Sequence, residues 1–495
     1  MDQVHLLVAV HGLWGEPVHV SELTRIIRER FQDTTDETGA KLVILCGETN
    51  ANDSTYDGID WCGERLADEV QAKIDQLAAD GQAVTRFSVV GYSLGGLVSR
   101  YLVGILESRS FFDTVRPINF TTFATPHIGL VRMNNFFSKL GFRLGPKMLS
   151  RTGPQLYGCD QWSGSKDGKP LLEAMAEEKG IFYKALQKFE RRSLYGSAYG
   201  DRTVSYQTAL IEAEDPFWQH ETNGMSFVVD EKYAPIVSSY EIPSRPPSPP
   251  PAPAFGSPEY IKSLAPRIRL PPFLQLRFPL NLLLYMLIPV LIPLGFTAAF
   301  IKVSLDSSSS RKRLKLLESD EETLQRRLVN VLRGLDKEME DAIVDALEGA
   351  NEVAVENVDE RTGMPLTMPE NSPSITTAPS RPEELDVDGR HAVCTRRHKR
   401  VSAKSSSSSL SKHSEEKVHK EHKAPLPSNP QEPQLSDLQY RLVHSLNGLH
   451  FHKFTAHFPG VFSSHAVIIS RDVQRFAFHK QGEGVLRHWA DHFIL

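Results

Sequence analysis

A five-residue stretch, Gly91-Tyr92-Ser93-Leu94-Gly95, constrains this chain more than any other part of it, because of what stands on either side. The run RFSVVG (86–91) is apolar and β-branched and reads as a buried strand, while Leu97 to Leu106 reads as a helix directly after it. A strand that becomes a helix across so short a turn brings backbones close together, and Gly91, Gly95 and Gly96 are small enough to allow it. The same rhythm extends outward. VHLLVAV (4–10), KLVILC (41–46) and PINFTTFAT (117–125) read as further strands, helical spacing occupies about 20–31 and 59–79, and the alternation resumes at 191–206. Strands that are apolar throughout and alternate with helices predict a mostly parallel sheet with helices on both faces. The 495 residues are enough for one such domain of about 250 residues plus appended material.

The rest of the chain divides by composition. Residues 1–243 are expected to form an α/β-hydrolase catalytic domain in which 130–190, too long for a plain connection, is a lid or cap. A proline-rich linker follows at 244–275. Within 276–304, Leu280 to Ile301 carries no charge and is long enough to cross about 30 Å of hydrocarbon, although Pro289 and Pro293 would bend it. A straight span and a hairpin in one leaflet are both open. Residues 314–349 read as an amphipathic helix with Ser319 and Glu322 as a capping box, and Leu324, Leu328, Val331, Leu335, Met339 and Ile343 on one face. Residues 350–437 are poor in aromatics and rich in proline, serine and charge, and read as a disordered insert. Order returns over 438–495, where LNGLHFHKFTAH and SSHAVIIS read as the last strand and helix of the hydrolase.

Net charge and cysteines narrow the setting. A formal charge of -5 argues against a nucleic-acid partner, since no basic excess faces a phosphate backbone. Cys46, Cys62, Cys159 and Cys394 are scattered without a CxxC pair, as expected of free thiols in a reducing compartment. The first twelve residues have no basic leader and no cleavage site, so they read as a core strand and not as a signal peptide. The catalytic domain is therefore expected to face the cytosol.

Residues 91–95 fit G-x-S-x-G, the nucleophile elbow, in which a strained turn lifts the serine Oγ above the sheet ahead of a helix. Ser93 is then the nucleophile. His11-Gly12 closes the first strand, where such a pair shapes the loop of an oxyanion hole; the two donors would be the backbone N–H groups of Leu13 and Leu94. Loss of one such donor raises the barrier by about 3 kcal/mol. The chain order expected of this fold is serine, acid, histidine. Asp201, in a Gly-Asp-Arg turn after a strand, is the favoured acid over Asp113, Asp160 and Asp167. Of His444, His450, His452, His457 and His465, the last opens the segment after the final strand and is the favoured base, with His457 the main alternative. Neither a metal nor an organic cofactor is required by this chemistry.

Taken together, VAVHGLWG (8–15), VVGYSLGGLVSRYLVG (89–104), FATPHIGL (123–130), LSRTGPQL (149–156), YGDRTVSYQTA (199–209) and HAVIISR (465–471) resemble the putative serine esterase family of fungi and plants, in the branch of a yeast lipid-droplet phospholipase. The resemblance covers 1–240 and about 438–480. It implies Ser93, Asp201 and His465 as a triad acting on lipid esters, glycerophospholipids among them, at a lipid-droplet or endoplasmic-reticulum surface. The long polar insert departs from the family, so the spacing between Asp201 and His465 carries no information. Acyl-protein thioesterase, lipid transacylase and a catalytically inactive membrane adaptor are the competing readings.

Overall fold

The computed structural model describes residues 1–133, 136–164, 167–220, 222–243, 280–319 and 433–495. The proline-rich linker, the amphipathic face and capping partner beyond Ser319, and the insert up to residue 432 lie outside the described residues.

Six strands form the central sheet: β1 (Asp2–Val10), β2 (Lys41–Cys46), β3 (Gln82–Tyr92), β4 (Arg116–Phe123), β5 (Arg191–Ser197) and β8 (His452–Ala456). They lie in the order β2-β1-β3-β4-β5-β8, and every neighbouring pair is parallel. Two further strands, β6 (Ser226–Val229) and β7 (Val237–Glu241), make a separate antiparallel hairpin.

Alternation of side chains across the pleat explains why these strands are apolar on both faces. Leu6, Val8, Val10, Phe87, Val89, Phe120 and Leu194 join one core, which includes residues of helices α2 (Ile59–Ala79) and α3 (Leu94–Ser108). Leu7, Ala9, Val90, Tyr92, Phe123 and Tyr195 join the other, with α1 (Ser21–Phe31) and the helix Glu483–Asp491. α3 is central, and every residue from Leu94 to Glu107 in it is buried. This is the α/β-hydrolase architecture, with β1, β3 and β4 adjacent and the serine at the end of β3.

Two expectations are corrected. The segment opening at His465 does not form a helix; 464–471 runs as consecutive turns, with Val467 and Ile468 both donating to the Ser464 carbonyl and Ser470 in the left-handed region at φ 51°. Its β-branched Val467, Ile468 and Ile469 are fully buried against the second core, which tight turns permit more easily than an isolated amphipathic helix. The terminal helix comes later, at Glu483–Asp491. Nor does the apolar segment end before a separate helix at 314. One helix runs Leu280–Ser319, with Pro289 and Pro293 inside it, and Ser307 and Ser310 on a face buried against the hydrolase. The described residues of the 130–190 region contain four short helices, Phe136–Met148, Thr152–Leu156, Leu171–Ala174 and Ile181–Gln187, and Leu171, Leu172, Phe182 and Leu186 enter the first core.

Candidate active site

β3 delivers Ser93 on a backbone that few residues adopt, φ 55° and ψ -125°. Such a conformation costs on the order of 1–3 kcal/mol and persists only where neighbours hold it. Here the Ser93 N–H donates to the Phe123 carbonyl at 2.9 Å, and the Gly96 N–H donates back to the Ser93 carbonyl at 3.1 Å. Glycine is required close by. A Cβ at Gly12 would lie 2.8 Å from the Ser93 Cβ, and one on Gly95 would strike the backbone of Val10 and His11. Gly91 packs in the same way against the first turn of α3.

The other two side chains arrive from distant parts of the sequence. Asp201 follows β5, and its Oδ1 accepts the N–H groups of Thr203 (2.8 Å) and Val204 (2.9 Å), which fixes the carboxylate in a turn. His465 follows β8. Its Nδ1 donates to Asp201 Oδ2 at 2.8 Å, and its Nε2 stands 3.0 Å from Ser93 Oγ. The carboxylate side chain is only 3% exposed and the imidazole 14%. A hydrogen bond from Nδ1 to a carboxylate leaves Nε2 as the basic nitrogen, turned towards the hydroxyl. The arrangement can take a proton from Ser93 Oγ.

His11 shapes the loop whose Gly12 packs on Ser93. Its Nδ1 donates to the Gly12 carbonyl at 3.1 Å, and the Gly15 N–H donates to the same oxygen at 3.0 Å. Burial holds the His11 pKa below its ordinary value, so the ring is neutral and its role is a fixed hydrogen bond. In a trans peptide the N–H points away from the C=O, so pinning the Gly12 carbonyl also aims the Leu13 N–H. Leu94 is the first residue of α3, and its N–H has no carbonyl partner within the helix. Leu13 follows Gly12, which packs on the Ser93 side chain, and Leu94 follows Ser93 directly.

The alternatives fall elsewhere. His457 stacks on Phe227 with centroids 4.4 Å apart and faces the Tyr199 hydroxyl; burial, and then the charge of His220, hold its pKa down. Asp160 accepts the Leu171 N–H within the 130–190 region, and Asp113 precedes β4. One positioning contact has no signal in the motif. Tyr92 occupies an unrestricted position of G-x-S-x-G, yet its hydroxyl donates to the His465 carbonyl at 3.0 Å and its ring lies 5.1 Å from the imidazole. Among the described residues no three His, Cys, Asp or Glu side chains converge as metal ligands.

A parallel sheet in this order with a serine on a strained strand-to-helix turn defines an α/β-hydrolase. Residues 1–215 match the family model described as "Putative serine esterase (DUF676)". Two relatives are similar over a stretch of about the same length. "Putative lipase C4A8.10" of Schizosaccharomyces pombe is 28% identical over 211 residues, 42% of this chain and 26% of the relative. "Putative lipase YDL109C" of Saccharomyces cerevisiae is 30% identical over 214 residues, 42% of this chain and 30% of the relative. The chain thus spans about a third or less of the length of the curated relatives it matches. A solved structure, "Phospholipase PlaB from Legionella pneumophila", aligns with 40% of each chain at 15% identity and a TM-score of 0.25. Over this part the chain is thus similar to proteins described as a serine esterase or as lipases.

Proposed function

We propose that the chain hydrolyses acyl esters of lipids, phospholipids among them, by an acyl-enzyme route at a membrane or lipid-droplet surface. The observation that carries this reading is the continuous relay Asp201–His465–Ser93, with contacts of 2.8 and 3.0 Å. Ser93 Oγ attacks the ester carbonyl while its proton passes to His465 Nε2. Negative charge then grows on the carbonyl oxygen, where the N–H groups of Leu13 and Leu94 receive it. Asp201 stabilises the imidazolium without itself taking the proton. Collapse breaks the carbonyl–alkoxy bond, and His465 protonates the departing alcohol or lysolipid. Water repeats the attack on the acyl-serine and releases the fatty acid.

Two features support a lipid substrate. The relatives carry the name lipase. The helix Leu280–Ser319 contains a stretch apolar and long enough to cross a membrane, and its Met286, Val290, Leu294, Phe296 and Phe300 are each at least 54% exposed. Exposed large apolar side chains along a helix find their low-energy surroundings in lipid. The uncharged 22 residues from 280 extend about 33 Å, a bilayer core's thickness. Such an anchor holds the site where substrate is concentrated, on the droplet or endoplasmic-reticulum surface with the catalytic domain in the cytosol.

The purified full chain is expected to release fatty acid from phospholipid or neutral-lipid emulsions and to lose this on fluorophosphonate treatment, read by mass spectrometry of lipids and of the labelled Ser93 peptide. Turnover of acyl-thioesters with inert oxygen esters would replace the substrate class with acyl-proteins, and acyl transfer to added lysolipid without free fatty acid would make it a transacylase. A chain that fluorophosphonate never labels would overturn the enzymatic reading. Deleting 280–301 is expected to move the protein from the membrane pellet to the supernatant in fractionated cells while leaving turnover of a water-soluble ester within about twofold. An unchanged pellet fraction would remove the anchoring role.

A further inference from the structure

The long helix does more than project an apolar rod, because its charged end is seated against the hydrolase beside the site. Ser307, Ser310 and Leu314, spaced to share one face, are buried there, and Ser310 Oγ donates to Ser150 Oγ at 3.0 Å. Arg313 closes the contact. Its Nη1 donates to Asp53 Oδ2 at 2.6 Å, and its Nη2 to the Asp53 carbonyl at 2.9 Å and to Asp57 Oδ1 at 3.0 Å. Asp57 is fully buried and shares its other oxygen with Arg65 Nη1 at 2.7 Å. A bidentate guanidinium on partly desolvated carboxylates is geometrically demanding, which makes it a registering contact and not a loose surface pair.

The turn that Arg313 grips, Asn52–Tyr56, is bonded on its far side to the loop that carries Leu13. The Asn52 N–H donates to the Gly15 carbonyl at 2.9 Å. The Trp14 N–H donates to Thr55 Oγ1 at 3.2 Å, and Trp14 Nε1 to the Tyr56 hydroxyl at 2.6 Å. Trp14 is half exposed and sits in the left-handed region at φ 55°, a conformation that a bulky residue keeps only when it is held. Its N–H is the one directly after that of Leu13. The geometry points to Arg313 as a positioning residue for the oxyanion loop: seating the foot of the apolar helix on Asp53 and Asp57 sets the turn 52–57, which holds Trp14 and so aims the Leu13 amide. This rests on the oxyanion role given to Leu13 above.

An oxyanion donor acts on charge that exists only in the transition state, so a poorly aimed one lowers kcat and leaves substrate binding alone. In the full-length chain, Arg313→Ala is expected to lower kcat on a water-soluble short-chain ester about tenfold, with KM within about twofold and a similarly slowed fluorophosphonate labelling of Ser93. Arg313→Lys, which keeps the charge without the fork, recovers part of the loss. Thr55→Val cuts the same path nearer the site, and the double variant is expected to be no slower than the slower single one. Asp53→Asn gives the same kcat loss from the other partner and stands in for Arg313→Ala if that variant does not fold by near-ultraviolet circular dichroism. Wild-type kcat in folded Arg313→Ala or Asp53→Asn, or losses that multiply in the double variant, would overturn the coupling. Failure of fluorophosphonate to label the wild type would instead remove the reading of the site on which it rests.

Discussion

Replacing Ser93 by alanine is expected to lower kcat/KM for ester hydrolysis by at least about 10⁴-fold while leaving the fold intact. The expectation follows from where the hydroxyl sits. Its Oγ is the atom facing His465 Nε2 at 3.0 Å, and no other described hydroxyl is bonded to that nitrogen. Alanine keeps the Cβ, so the strained turn, its bond to Phe123 and the close approach of Gly12 all persist. The amides of Leu13 and Leu94 also remain, and residual turnover by water held between them sets the floor. Fatty-acid release, fluorophosphonate labelling and a thermal melt on the same preparation check the result. A variant that retains more than a tenth of wild-type activity with an unchanged melt would show that the chemistry runs elsewhere.

Asp201→Asn is expected to cost about 10³–10⁴-fold in kcat with little change in stability, a pattern different from simple loss of a charge. Asp201 Oδ1 accepts two backbone N–H groups, and the asparagine carbonyl can keep both. The amide nitrogen then falls where Oδ2 accepted from His465 Nδ1 at 2.8 Å. Two donors cannot face each other, so the imidazole carries its proton on Nε2 instead, and a protonated Nε2 cannot take one from Ser93. Asp201→Ala should differ, because it also strands the Thr203 and Val204 amides and so lowers the melting temperature. Single-turnover acylation rates and melts of the two variants check this. Equal activity of Asp201→Asn and wild type would exclude the carboxylate from the relay.

Much of the fold is legible in the sequence for a simple reason. A strand buried on both faces must be apolar at consecutive positions, and VHLLVAV and SVVGY are, so the order of elements can be read without knowing what packs on what; the edge strand KLVILC shares the pattern though it is only partly covered. The serine is visible because crowding demands glycines at fixed offsets, as the close packing of Gly91 and Gly95 bears out. Asp201 and His465 are visible only through the residues around them, since 264 positions separate them. What was not legible depends on contacts made across the fold. Apolar Val467, Ile468 and Ile469 fit a helix or a buried turn equally well on paper, and only their packing in the second core decides. Ser307 and Ser310 look like a break in an apolar helix, yet small hydroxyl side chains are what lets a helix lie close on another surface. The grip of Arg313 on Asp53 and Asp57 spans more than 250 positions and leaves no local pattern.

The serine and histidine stand 372 residues apart, with the long apolar helix translated between them. A ribosome adding about 5–20 residues per second needs about 20–75 s to go from one to the other. On the proposed relay, the newborn polypeptide carries its hydroxyl past every membrane it meets without the base that would arm it. Arming waits for the last strand to be made, by which time the greasy rod has already been translated. Under the proposed function, an enzyme able to digest the surface that receives it would be made inert and armed only once its base is in place.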